Sequence, residues 1–449
     1  MIHKNYIDNP GAVSDLIEDA RVHRDVYINQ EIFELENEHL FKRTWIYLCH
    51  DSQIPNVGDY YSTTIAGEPL FAVRHTDGTV KVLMNRCAHK GAKLVLDVKG
   101  NTGKFIKCPY HAWAYDTDGK LLSIPFKKGM ENTGFDCCEA SHGLSHVDNV
   151  KSYRGFVFIR LSGKGIGFED YFGPVLNSLD NMADRSPSGE LEVAGGCLRY
   201  MHECNWKMFI ENQNDTVHPM VAHASSAYTA ERLWREEIES GGQVPDAIRY
   251  VVPFGSSYEF FDKGGVRVFE NGHCYGGEAG GIHDKYAAAL EASRSGYEEL
   301  MISAYGKERV KEIFGVIRHN TILYPSVMTK CEIQQIRVVR PISASKTLVE
   351  SWTFNLKGAP KEELIKTQTF SRLINSPFSF VGHDDLSAYE SMQEALHASG
   401  NVWVDFHRNF KAEEVGPKEI FTNGTSDIYA RNEFRAWKKF ILEGMLEKN

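Results

Sequence analysis

Two cysteines and two histidines stand in paired short segments, Cys87-Ala88-His89 and Cys108-Pro109-Tyr110-His111, with eighteen residues between them. Two thiolates and two imidazoles can hold either a tetrahedral zinc ion or a [2Fe–2S] cluster in which histidines replace two cysteines on one iron. Zinc fingers usually pair Cys with Cys and His with His and carry the second pair on a helix, whereas here each segment offers one of each between strand-like flanks. Gly91, Pro109 and Gly119 suit tight loops whose backbone N–H groups can approach sulfur.

A second group of donors follows in Glu211-Asn212-Gln213-Asn214-Asp215-Thr216-Val217-His218-Pro219-Met220-Val221-Ala222-His223. Asp215 and His218 are three apart and share one side of a helix. His218 and His223 are five apart, so an unbroken helix would aim them about 140° away from each other. Pro219 supplies the break that convergence needs and is expected to push His218 out of helical geometry. Near the carboxyl end, His383-Asp384-Asp385 offers the carboxylate of a 2-His-1-carboxylate triad, whose remaining positions stay open for dioxygen and substrate. Taken singly, such histidines are a helix cap and a core residue, and paired aspartates at a helix start are N-caps. The neighbouring Cys/His pattern favours the joint reading.

The elements that must position these groups fall into two texts. From about residue 44 to 160 the chain reads as short strands, TWIYLCH, YYSTTIAG, PLFAVRHTDG and FVFIRLS among them, with hairpin turns at His75-Thr76-Asp77-Gly78 and Asp116-Thr117-Asp118-Gly119. After the glycine-rich 163–167 come helical candidates near 205–218, 284–303, 360–374 and 426–445, and strand candidates at 321–325, 332–339 and 347–354; residues 228–283 give no clear pattern. The expected class is α+β, a β-rich domain at 44–163 and a catalytic domain with antiparallel sheet and helices at 164–449, to which residues 1–43 add a helical segment. The 449 residues carry 42% hydrophobic and 24% charged side chains and a formal charge of −10, a globular composition that disfavours nucleic acid and anionic lipid as partners. No run reaches the length of a membrane span and no secretory signal opens the chain, so a cytoplasmic location is expected. The nine cysteines, Cys137 and Cys138 included, lack a disulfide framework.

The paired loops closely resemble those of Rieske proteins, with a gap slightly longer than usual that places an extra residue around 99–103. The pattern E-N-x-x-D-x-x-H-x-x-x-x-H, together with P-x-x-F-x-x-x-D-D-x-x-x-x-E, resembles the aromatic-ring-hydroxylating oxygenases, the large subunits of Rieske non-haem iron oxygenases; the likeness runs from about residue 33 to 441. The resemblance implies that Cys87 and Cys108 bind one iron of a [2Fe–2S] cluster, that His89 and His111 bind the other, and that His218, His223 and Asp385 bind a mononuclear Fe(II). It makes Asp215 a bridge from His218 to His111 of the partner subunit, with Asn212 and Glu211 beside the metal without ligating it. It further implies hydroxylation of an aromatic ring with O2, and a trimer of large subunits, α3β3 with a small β subunit or otherwise α3. No G-x-G-x-x-G follows a strand, so reducing power from NAD(P)H is expected through a separate ferredoxin or flavin reductase, to which Lys90, Lys104 and Lys107 offer a positive face. Alignment with the family puts Gln213, Pro219, Met220, Asn320, Asn375 and Val381 around the substrate. Arg318 and Arg337 are candidates to clamp a carboxylate, pointing to a substituted aromatic such as an aromatic acid.

Overall fold

The computed structural model describes residues 5–135, 142–277, 296–412, 414–415 and 419–447. Cys137, Cys138 and the first part of the 284–303 helical candidate lie outside these residues. The chain forms two compact units, Phe41–Ile166, and Met1–Leu40 together with Gly167–Asn449. Both are built on antiparallel sheet and the larger gathers most of the helices, which is the expected α+β class.

In the smaller unit, Glu68–Arg74 lies between Val80–Met84 and Asp59–Ile65 in a four-stranded sheet, and Phe156–Arg160 lies between Asn149–Tyr153 and Ile46–His50 in a three-stranded one. Both expected hairpins form: Gly78 and Gly119 close the turns at φ +84° and +89°, a region open to glycine without steric cost. The second joins Ala114–Tyr115 to Leu121–Ser123. Phe71, Leu83, Leu94, Trp113 and Tyr115 pack into one core, and Cys87 and Cys108 belong to the same cluster. The thiols are thus rooted in the best-packed part of the unit, while the loops that carry the histidines rise from it.

The larger unit is organised by a nine-stranded antiparallel sheet. Its middle order runs Lys346–Leu356, Gln335–Ser343, Val327–Lys330, Arg318–Leu323, Cys274–Gly277. Leu191–His202 adds a strand that the sequence conceals, because Gly195 and Gly196 take positive φ and form a bulge between Ala194 and Cys197 that breaks the alternation. The expected strand at 332–339 starts only at Gln335, since Cys331–Ile333 forms a 3-10 turn and Gln334 takes φ +49°. The unassigned stretch holds helices Ala224–Glu239, Asp246–Val251 and Tyr258–Gly264 and two sheet strands.

The helix expected at 205–218 ends at Asn212. Asn205 caps it by accepting from Lys207 N, and its amide donates to Tyr27 O and Ala344 O at 3.0 and 2.8 Å. At the next two residues, the fully buried Glu36 accepts from Trp206 Nε1 (2.8 Å) and Lys207 Nζ (2.5 Å), and also from Trp437 Nε1 (2.7 Å). A single carboxylate therefore ties the helix Gln30–Glu36, the helix Trp206–Asn212 and the helix Ile428–Glu447 to each other. Breaking such a buried pair from one side costs roughly 3–5 kcal/mol, because the remaining buried charge loses its counter-ion. This clamp fixes the segment from which the second donor group springs.

Candidate metal centres

In the smaller unit the two donor loops are built alike. Gly91 N donates to Cys87 O (2.9 Å) and Cys87 N to Ala92 O (2.8 Å); in the second loop Ala112 N donates to Cys108 O (3.1 Å) and Cys108 N to Trp113 O (2.8 Å). Gly91 and Ala112 both take positive φ, which lets each loop turn back on its cysteine. Asn85 pins the first loop from below, accepting from Leu94 N and Val95 N and donating to Val95 O. The result is two buried free thiols and two half-buried imidazoles whose centroids are 4.7 Å apart. His89 stacks flat on Trp113, and the Tyr115 hydroxyl lies 3.1 Å from Cys87 Sγ. Burial pushes the Cys87 thiol up, partly offset by the Tyr115 hydrogen bond.

The donor set fits a two-iron cluster better than one zinc ion. The Nδ1 atoms of both His89 and His111 are buried without a hydrogen-bond partner, a costly state for a polar atom that metal ligation would relieve. Among the described residues only His218, His223 and Asp385 bring three ligand atoms within 4.8 Å of one another, so the Cys/His quartet does not close on a single ion. A [2Fe–2S] group wide enough to take two thiolates on one side and two imidazoles on the other matches this layout.

The second centre lies wholly in the larger unit. Beyond the helix end at Asn212, Asp215 Oδ1 accepts from Val217 N (2.8 Å) and His218 N (3.4 Å), a turn that leads into the one-turn helix Pro219–Ala222. His218 flanks that turn on one side and His223 on the other. Contrary to the expectation from Pro219, His218 keeps helical angles (φ −65°, ψ −31°). The break lies upstream at the Asp215 turn, and the second bend falls at His223 (φ −104°, ψ 16°). Proline at the first helical position is favourable there because its missing N–H has no partner to lose. The imidazoles end 5.4 Å apart, facing Asp385 on the helix Phe380–Ala395, itself capped by Ser379.

Asp385 Oδ1 is 3.5 Å from His218 Nε2 and 3.4 Å from His223 Nε2. Burial pushes its carboxyl upward, but the two imidazoles more than reverse this and hold it well below the usual carboxylate range. Asp384 Oδ2, 3.2 Å from His223 Nδ1, turns that ring so that Nε2, buried without a hydrogen-bond partner, looks toward Asp385. Asp215 Oδ2 stands 3.8 Å from His218 Nδ1, and Asn212 Nδ2 lies 3.1 Å from His218 Nε2 and 3.3 Å from Asp385 Oδ1. Two imidazole nitrogens and one carboxylate on a half-buried spot, with unfilled directions around them, fit a facial triad for ferrous iron.

A small cavity of about 60 Å³ adjoins the triad. Of the residues proposed around the substrate, Gln213, Pro219, Asn320, Arg337, Asn375 and Val381 line it; Met220 and Arg318 do not. Arg318 is diverted by a bulge: Thr321 pairs with Tyr275 but Arg318 with Gly277, an extra residue that turns its side chain to Asn177 and Ser178 on the other face. Lys330, His319, Gln335 and Phe370 also line the cavity and went unread in the sequence; the register Met328 to Arg337 and Lys330 to Gln335 places all four of these paired residues on one sheet face. A larger cavity of about 710 Å³ also reaches His218 and Asp385, and it exposes Asp215 beside Glu211, Asp405, Arg408 and Asp427. Arg408 pairs with Asp427 and stands 3.8 Å from Asp215. Burial pushes Glu211 up to about 8 despite the Tyr27 hydroxyl that donates to it at 3.0 Å.

Comparison with known proteins agrees with both centres. Residues 44–151 match the Rieske [2Fe-2S] domain family, and residues 192–431 match the ring hydroxylating alpha subunit (catalytic domain) family. The chain is 31% identical to the anthranilate 1,2-dioxygenase large subunit of Acinetobacter baylyi, covering 95% of this chain and 91% of that one. It is 32% identical to the toluate 1,2-dioxygenase subunit alpha of Pseudomonas putida, covering 89% and 84%. In fold it is similar to a naphthalene 1,2-dioxygenase crystal structure with phenanthrene bound, at TM-score 0.79 and 23% identity over 95% of this chain and 94% of that one. Among the described residues no helix is long and apolar enough to cross a membrane.

The Asp384–His223 contact gives a direct test of the second centre. Asp384→Ala is expected to weaken ferrous-ion binding there by about 10–100-fold while leaving the visible spectrum of the Cys/His site intact. Metal titration of the variant checks this, and unchanged affinity would remove the orienting role.

Proposed function

Because the chain belongs to the large subunits of the Rieske-type ring-hydroxylating oxygenases, carrying a [2Fe–2S] cluster and a mononuclear iron, we propose that it hydroxylates a single-ring aromatic acid with dioxygen. The observation that carries the substrate reading is the chemistry of the cavity beside the triad, walled by Phe254, Phe370, Ile374 and Val381 and holding the half-buried cation Arg337. The relatives named for anthranilate and toluate act on aromatic acids, in keeping with that cation.

Cys87 and Cys108 would hold one iron of the cluster and His89 and His111 the other through their buried Nδ1 atoms; His218, His223 and Asp385 would hold the lone iron. When bound, these groups supply one-electron storage and dioxygen activation beside the ring. The remaining work falls to the chain's own side chains. Asp384 orients His223, Tyr115 offers a hydrogen bond to the Cys87 sulfur, and the apolar wall excludes bulk water. Arg337 supplies the charge that selects an anionic ring over a neutral one.

Electrons come from NAD(P)H through a separate ferredoxin or flavin reductase. In this reading Asp215 links His218 to His111 of the partner subunit within an α3 or α3β3 assembly. Charge segregation supports that arrangement: residues 41–166 hold 17 Lys and Arg against 11 Asp and Glu, a net of +6, which leaves −16 for the rest of the chain. A basic cluster unit and an acidic cavity lined by Asp215, Asp405 and Asp427 attract one another between copies. Lys90, Lys104 and Lys107 belong to the same basic unit and suit an acidic electron carrier. The seven described cysteines are free thiols, in keeping with a cytoplasmic location.

With a surrogate reductase, benzoate-type acids are expected to be hydroxylated and naphthalene left largely unreacted; product analysis by mass spectrometry decides, and equal turnover of the two would overturn the aromatic-acid reading. Asp215→Ala is expected to keep both metal centres but to lower steady-state turnover by about 100-fold, with the cluster reduced and its electron stranded. Stopped-flow oxidation of the pre-reduced cluster measures this, and wild-type rates would exclude the bridge.

A further inference from the structure

Arg337 leaves one hydrogen-bonding edge half used. The pairing of Gln335–Ser343 with Val327–Lys330 turns its side chain into the cavity, where the guanidinium lies 5.0 Å over the ring of Phe209. Nη2 donates to Gln213 Oε1, while Nε is buried with no hydrogen-bond partner. In a planar guanidinium, Nε–H and one Nη2–H point the same way and grip the two oxygens of one carboxylate. An amide has one oxygen to offer. Gln213 therefore satisfies half of the edge and leaves the other half bare, in a setting where burial already lowers the stability of the charge.

The amide is held in this orientation by its own partners. Gln213 Nε2 donates to Phe209 O at 2.8 Å and approaches Asn212 Oδ1 at 3.4 Å, so Oε1 must face Arg337. The neighbouring polar groups are engaged elsewhere: Lys330 with His319 O and Glu332, and Asn375 with Gln335 Oε1. Arg337 forms no ion pair among the described residues; the Tyr200 hydroxyl and the Asp385 carboxylate support its charge, but its Nε–H is left without an acceptor and is open to an incoming anion.

We propose that Gln213 is a resident stand-in for the substrate, an internal amide that occupies the Arg337 edge in the free protein and is replaced there by the substrate carboxylate. This rests on the aromatic-acid reading above and adds to it a positioning residue that sets affinity through competition. Because Gln213 must yield first, the apparent affinity for an anionic ring is lower than the Arg337 edge alone would give. Its exit also frees Asn212, the next residue, whose amide lies against two of the triad's ligand atoms.

The test is calorimetric binding of benzoate and of its neutral isostere benzamide to the full-length holoprotein, kept anaerobic and without reductant so that nothing turns over. Gln213→Glu places a permanent two-oxygen partner on Arg337 and is expected to weaken benzoate by at least about 10-fold with benzamide little changed. Gln213→Ala removes the competitor and is expected to tighten benzoate by about threefold, again sparing benzamide. Unchanged benzoate affinity in both variants, or equal loss of both ligands, would overturn the stand-in role and leave the aromatic-acid reading in place. Wild-type protein that prefers benzamide to benzoate would overturn the aromatic-acid reading itself.

Discussion

A carboxylate and two imidazoles are gathered, half-buried, within 4.8 Å of one another in the larger unit. Removing a carboxylate from water is costly unless something positive takes the place of its hydration shell. Here Asp385 faces two imidazole nitrogens, one of which, His223 Nε2, has no hydrogen-bond partner, together with the Asn212 amide. Such a grouping is reasonable as the floor of a cation site and expensive as anything else. Much of the surrounding architecture serves to hold those three side chains where their mutual cost is highest.

The holding is done in layers. Glu36 clamps the helix Trp206–Asn212 through two indoles and a lysine, so that the chain leaves Asn212 from a fixed point. The Asp215 turn and the single helical turn at Pro219 then set the two histidines on either side of one short segment. Asp385 arrives from a separate helix, and its neighbour Asp384 turns back to orient His223. In the smaller unit the same logic uses hairpin loops instead of helices: thiols sit in the core, imidazoles at the loop tips, and Tyr115 links the core to Cys87. The two centres share no element within their units, which is why each must be stabilised locally.

Much of this was legible in the residues. The Cys/His spacing, the Asp-x-x-His step and the paired Asp residues carried the chemistry, and both hairpin turns followed from Asp-Gly. What was hidden depended on register. Gly195 and Gly196 concealed a twelve-residue strand by inserting a bulge. A second bulge decided between two arginines that looked alike on paper, turning Arg318 toward Ser178 while Arg337 kept the alternation that leads into the cavity. Lys330 and Gln335 became pocket residues for the same reason, since facing pairs in antiparallel strands share one side of the sheet. The site of the helix break was likewise misplaced at Pro219, because a proline at a first helical position is compatible with a helical residue before it when the previous helix has already ended upstream, here at Asn212.

The most direct measurement is the ratio of iron to acid-labile sulfide in the purified chain, taken for the wild type and for Asp385→Ala. A two-centre protein gives about three irons and two sulfides per chain, falling to about two and two when the carboxylate is removed. Equal iron and sulfide in the wild type, or zinc in place of iron, would contradict the account.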